Sequence, residues 1–481
     1  VSPFPQLSGA DAPSIRRRLD VAALLFVASA LALGTLWVAW SRHARAELDA
    51  RLDAISARHE PYLMEYFSTP SLPANENAVT YLIRAAESVS DEVITPASSA
   101  TAYPPYRADS PQWISEADAA VRANARSLED ARTARAVPGV DWNFHPTPTE
   151  PGPNMSGLNT LRNLANALAD AALDVHAHGD DHEAIERIHD LIREADAIDQ
   201  WPAVFSHLTA IGMESLAIDF LAEIAPELRI AGSAESPPVL PISAADPADI
   251  RRLISTLLDD RAALSRAVRV STYERAAALA SIANVRAHAT VLRPMLDLEA
   301  VRILDDFANV LLAENQTDWV SAARILPDDI LLSENRSSSP APDRGYRESR
   351  MISSQVLFPH RHFEVFVEWV AIGRRRALAT SLAIQLFRAD QHRWPAALDE
   401  LVPRFLPAVP TDRLDPRNRP IRYLMEHPTP AIDRPMLLYD APTDPGPPPS
   451  APVFSNGGAG PKWLDVSHWS PPPATARTPA R

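Results

Sequence analysis

Residues Leu161–Ala195 read LRNLANALADAALDVHAHGDDHEAIERIHDLIREA, and this stretch decides the fold class. Leu161, Ala165, Leu168, Ala172 and Val175 recur at alternating spacings of four and three, which puts them on one face of an α-helix. Gly179 stops that helix, because glycine accepts the left-handed conformation that a helix end requires. Asp180 or Asp181 then caps a second helix, on which Ala184, Ile185, Ile188, Ile192 and Ala195 form another apolar stripe. So short a turn makes the two helices antiparallel neighbours.

Outward from this pair the same pattern continues. Helices are predicted over 41–59, 75–88, 110–136, 246–292, 294–314 and 360–389, and a third helix follows Trp201-Pro202 through Leu221. Pro- and Ser-rich stretches separate them at 94–112, 138–153 and 232–245. The Ala177, Gly179, Asp180 and Ala184 pattern resembles one unit of a tetratricopeptide-type hairpin over some forty residues. No 34-residue repeat of it is found, and a stable array needs about three units. The chain therefore reads as mainly α. A cytoplasmic tail (1–20) leads into an N-terminal transmembrane helix (21–40). An antiparallel helical domain follows in two parts (41–231 and 246–330), with tetratricopeptide-like hairpins as an option. A small C-terminal α+β module (360–445) and a disordered Pro-rich tail (446–481) complete the chain.

The anchor is Val21–Trp40, VAALLFVASALALGTLWVAW, twenty residues without a charge. At 1.5 Å per residue it spans about 30 Å, the thickness of a bilayer's hydrocarbon core. Trp37 and Trp40 sit where interfacial aromatic residues collect, and Arg16, Arg17 and Arg18 hold the N-terminus in the cytoplasm. The apolar core is longer than that of a signal peptide. Ala44-Arg45-Ala46 has the spacing of a cleavage site but follows the unsuitable Ser41-Arg42-His43. A buried core helix is the other reading, and it fits less well because the segment is apolar on every face and flanked by arginine. Leu48, Leu52 and Ile55 carry a single apolar stripe onward from the membrane.

Net charge is −15, which disfavours nucleic acid, since phosphate binding needs a basic surface, and disfavours docking of the soluble body onto anionic lipid. Cysteine is absent, which excludes disulfides, thiolate nucleophiles and cysteine-bound zinc or iron–sulfur centres. No Gly-rich phosphate loop and no Gly-x-Ser-x-Gly elbow is present, and no motif fixes a reaction. No cofactor is expected.

Near the C-terminus, Phe387, Arg388, Trp394, Pro395, Leu398, Leu401, Pro407, Pro410, Asp412, Pro420, Tyr423, Leu438 and Tyr439 follow a recognisable order. This region, from Ala377 to about Asp444, resembles the C-terminal half of a type II secretion pseudopilin, a long helix followed by a small β-meander. The residues agree: Leu398, Leu401, Val402 and Phe405 give a short amphipathic helix, and 421–425 and 436–439 read as a hairpin. The chain departs from the family in having its anchor some 340 residues upstream and no prepilin-peptidase site. The family's calcium loop would fall near Asp440 and Asp444, where Ala441, Pro442 and Pro445 replace its glycines. Over most of its length the chain resembles large, uncharacterised membrane-anchored envelope proteins of planctomycete-like bacteria.

The densest polar cluster lies at the turn of the opening helix pair. His176, His178, His182 and Glu186 are the candidate metal ligands, His182 and Glu186 sharing a helix face. His-Glu-x-x-Glu lacks the second histidine of the zinc-hydrolase motif. Arg374-Arg375-Arg376 reads as a solvated face or a site for an acidic partner. The first expectation is a single-pass, extracytoplasmic helical scaffold or binding protein of the cell envelope, with the membrane as one partner and an envelope protein as another. The alternatives are a membrane-tethered metal-dependent enzyme and an accessory part of a secretion or pilus-like system.

Overall fold

Nothing in the apolar run interrupts a helix, and in the computed structural model α1 extends unbroken over Ala12–Ala57. The structure describes residues 12–69, 71–90, 111–147, 157–232, 243–326, 361–415, 417–429, 432–439 and 462–466. Helix α1 begins within the segment expected to be a cytoplasmic tail, with Pro13 in its first turn, where no amide donor is needed. Among the described residues it is the one helix long and apolar enough to cross a membrane. Its apolar side chains are exposed around the whole circumference, Leu24, Phe26 and Leu31 among them.

Beyond Ser41 the same helix changes character. Ala44, Leu48 and Ile55 are buried and Leu52 is partly buried, so the predicted stripe is the packed face. It lies on α9 (Asp260–His288) and α10 (Arg293–Glu314), against Ala278, Ile282, Ile303, Leu304 and Phe307. Arg51 forks onto Asp305 at 2.8 and 3.3 Å beside this contact. His59, in the left-handed region, turns the chain. Arg275 of α9, 1% exposed, donates to Glu60 Oε2 at 2.7 Å and to the Pro61 carbonyl at 3.0 Å, fastening the exit of α1 to the body.

The body is a stack of antiparallel helices. Helix α2 (Ala78–Glu87) is capped by Asn77, and α3 (Pro111–Ala123) and α4 (Ala125–Ala136) follow. The predicted single helix over 110–136 is broken at Asn124. There the side chain donates to the Ala120 carbonyl, which also keeps the Asn124 amide, and accepts the Ser90 amide. The opening pair is α5 (Leu158–Ala177) and α6 (Asp181–Asp199), with Gly179 at φ 88° and Asp180 accepting from the Glu183 amide. Helix α7 (Val204–Ile224) completes the three-helix core. The predicted 246–292 helix divides into α8 (Pro247–Leu257) and α9, because Asp259 caps the second by accepting from the Ala262 amide. The short α11 (Trp319–Ile325) precedes α12 (Arg361–Gln391).

A small antiparallel sheet follows, β1 (Arg422–Thr429), β2 (Ile432–Tyr439) and β3 (Lys462–Asp465), in that order. The expected hairpin is present and longer than expected, with Tyr423 opposite Leu437. Strand β3 lies in the segment read as tail; it pairs Leu464 with Leu437, and the Val466 carbonyl accepts from Gln385 of α12 at 2.7 Å. The predicted short helix is a 3₁₀ turn, Leu398–Leu401. Tyr423 donates to the Pro395 carbonyl at 2.9 Å, Arg388 lies over the Trp394 ring at 4.4 Å, and Phe387 meets Phe405 edge-to-face. One continuous core joins α2 and α4–α8 to α12 and the sheet, so packing runs across the expected boundaries between the helical parts and the C-terminal module. Asp440 and Asp444 lie outside the described residues.

Candidate functional site

The interior of the helical body holds a set of titratable side chains that periodicity alone assigns to apolar faces. Asp199 ends α6, His207 lies in the first turns of α7 with Glu214 seven residues on, and Glu368 and Arg375 stand seven apart on α12. Arg266 and Ser271 reach in from α9, and Glu314 from the end of α10. His207, 3% exposed, donates from Nδ1 to Asp199 at 2.6 Å, and its Nε2 stands 3.2 Å from Glu368. Arg266 pairs with Asp199 on the far side. Arg375 is 3.3 Å from Glu214 and donates to the last carbonyls of α8, Thr256 at 2.9 Å and Leu257 at 3.2 Å. Ser271 donates to Glu314 at 2.5 Å.

Burial sets the protonation of this cluster. It pushes His207 down, but the Asp199 and Glu368 carboxylates overcome it and hold the imidazole well above its ordinary value. Burial also pushes Asp199 up, and His207 and Arg266 bring it below the usual carboxylate range. Glu314 is pushed up to about 7 by burial, only partly offset by Ser271. On α6, Glu194 is fully buried, neither carboxylate oxygen has a hydrogen-bond partner, and burial drives it well above the ordinary range. A narrow cavity among Asp196, Asp199, Glu214, Arg266, Glu368 and Arg375 has room for about one water molecule. The cluster can store protons and fix the register of the five helices that supply it; its cavity offers no space for a substrate.

The Arg374–Arg376 triplet, expected as a solvated face or a site for an acidic partner, belongs to this interior. Arg374 pairs with Asp219 and Arg376 with Asp260, and Arg376 also donates to the Thr411 carbonyl at 2.7 Å.

The candidate metal ligands at the α5–α6 turn go to different partners. His176 donates to Asp181 at 2.6 Å, and Asp181 also accepts from the Arg229 amide and guanidinium at 2.7 Å. Burial raises Asp181, and these donors outweigh it, leaving it below the usual range. His182 faces Asp249 at 3.9 Å, and Glu186 is held by Arg135. His176, His178, His182 and Glu186 therefore do not converge. His178 instead joins Asp118 of α3 and Asp174 of α5, the one set of three among the described residues whose ligand atoms all lie within 4.8 Å of one another. Its Nδ1 donates to the Asp174 carbonyl at 2.8 Å, which turns Nε2 toward Asp118 at 3.6 Å. Asp174 is 5% exposed, and its Oδ1 has no hydrogen-bond partner. Sequence reading missed Asp174 because four residues before His178, on the buried side of α5, it counts as a solvated carboxylate. Asp118 is missed because the helix that carries it is sixty residues away in sequence.

No protein family, curated protein or solved structure matches this chain.

Proposed function

We propose that the protein is a single-pass, membrane-anchored scaffold or binding protein of the cell envelope, whose helical body lies outside the cytoplasm. The observation that carries this reading is α1 itself. A span that is apolar and exposed on every face runs, without a joint, into a segment whose Leu48 and Ile55 belong to a hydrophobic cluster of the body. The buried His207, Asp199 and Glu368 support a packing role for the interior, since all three are nearly closed to solvent. The protein is expected to stay with the membrane through a high-salt wash and to leave with detergent. A reporter active only outside the cytoplasm is expected to work when fused after Arg481 and to fail when fused after Arg18. Activity after Arg18 alone would invert the topology; release by salt would remove the anchor.

A divalent-cation site at Asp118, Asp174 and His178 is the second reading, favoured by the buried, orphaned Asp174 Oδ1 and by a histidine tautomer fixed for ligation through Nε2. Purified protein dialysed against zinc is expected to retain one equivalent, and His178→Ala and Asp174→Asn are each expected to lower retention at least about tenfold. Equal zinc in parent and variants would sink this reading while leaving the scaffold reading intact.

A further inference from the structure

The α9–α10 turn carries apolar side chains into the zone of the anchor. Val291 is 76% exposed and Leu292 45%, with Val285 also exposed on the last turns of α9. Such a tip, in water, would be an unexplained apolar surface. Its location explains it. Trp37 of α1 donates from Nε1 to the Val291 carbonyl at 3.1 Å, and an apolar recess is lined by Leu33, Trp37 and Trp40 on one side and by Thr290 and Val291 on the other. Trp37 is three residues inside the end of the uncharged run and Leu33 seven, so the tip lies about 5–10 Å within the span along the axis of α1. That is the depth at which interfacial segments sit.

Charge agrees with depth. In a chain of net charge −15, no Asp or Glu occurs between Arg275 and Leu296, and Arg286 and Arg293 flank the tip, Arg286 held against Asp297 at 2.6 Å. Basic residues beside an apolar loop suit the headgroups of an anionic leaflet. The acidic whole argues against lipid docking, but this corner carries no acidic residue between Arg275 and Leu296 in sequence.

We infer that the α9–α10 turn is a second membrane contact, with Val291 and Leu292 immersed among the headgroups and first acyl carbons of the leaflet from which α1 emerges. The inference rests on the anchor reading of α1. The chain has no cysteine, so single cysteines placed in the full-length protein report one site each. Nitroxide labels at Leu31→Cys, Val291→Cys and Leu312→Cys would be compared in phosphatidylcholine–phosphatidylglycerol vesicles by their collisions with oxygen and with a water-soluble nickel chelate. Leu312 is exposed at the far end of α10 and serves as the aqueous reference. The label at 291 is expected to favour oxygen over the chelate, as the label at 31 does, with the preference inverted at 312. An aqueous label at 291 with a lipid-exposed label at 31 would overturn the second contact and leave the anchor standing. Aqueous labels at both would overturn the anchor and the second contact together.

Discussion

Glu314→Gln is expected to leave stability unchanged at pH 4 and to raise it over the parent by roughly 3 kcal/mol at pH 8. Burial moves Glu314 from 4.5 up to about 7, so the folded protein keeps this proton over a range in which the unfolded chain has released it. Where the folded state binds more protons, stability falls as pH rises, here from about pH 4.5 to 7. Glutamine resembles the protonated acid and can still accept from Ser271, but has no proton to lose. Glu194, Asp196 and Glu214, all raised by burial, add to the same slope. His207 extends it, since its contribution is complete below its unfolded value of 6.5 and is lost as pH climbs through its raised folded value. The lowered carboxylates work in the other direction: the contributions of Asp199 and Asp181 are present above the unfolded value of 3.8 and are lost as pH falls through their folded values. Stability of the parent is therefore expected to peak near pH 5 and to decline toward neutrality. Denaturant unfolding of parent and variant across pH 4–8 measures both statements, and parallel profiles for the two proteins would contradict the first.

His207→Leu is expected to cost about 3–5 kcal/mol, the range found when one partner of a buried charge set is removed. The loss of volume is small. The loss of the imidazolium leaves Glu368 facing an apolar side chain and leaves Asp199 with Arg266 alone. Adding Glu368→Met to this variant removes the stranded carboxylate and is expected to recover a substantial part of the stability, because an apolar replacement of the whole pair can be close to neutral. A double variant no more stable than His207→Leu would assign the cost to packing and not to charge.

The parts of the fold legible in the sequence were those where one face alone decides the matter. The α5–α6 pair was legible because Leu161 to Ala195 alternates cleanly between apolar and polar, and a glycine and an aspartate mark its turn. The stripe of Leu48, Leu52 and Ile55 was legible for the same reason. Periodicity does not say whether a charge on an apolar face meets water or a partner. Glu368 sits between Val367 and Trp369, a sign of burial, but its partner His207 is 161 residues away. Arg375 likewise finds its acceptors on α8, 118 and 119 residues away. The break at Asn124 was invisible because it depends on one amide side chain choosing the Ala120 carbonyl. Strand β3 was hidden by the proline-rich sequence around it, four residues being too few to show a period. At the metal candidates, sequence placed His178 in a polar corner and could not see that Asp118, on another helix, completes the set.

The continuity of α1 also sets the protein's reach. From Trp40 to Ala57 the helix continues about 25 Å without a hinge, packed along α9 and α10, so under the proposed anchoring the body is clamped to the anchor and not held on a leash. A flexible tether would let the body sample a hemisphere and trade search volume against local concentration. Under the proposed anchoring, a rigid clamp would confine every surface of the body to a fixed distance from the bilayer. Partners that share the membrane would then meet the protein in two dimensions, at a fixed height. Under the proposed anchoring, a helix-breaking insertion between Ser41 and Ala44 would change that encounter rate and would also part Trp37 from the Val291 carbonyl.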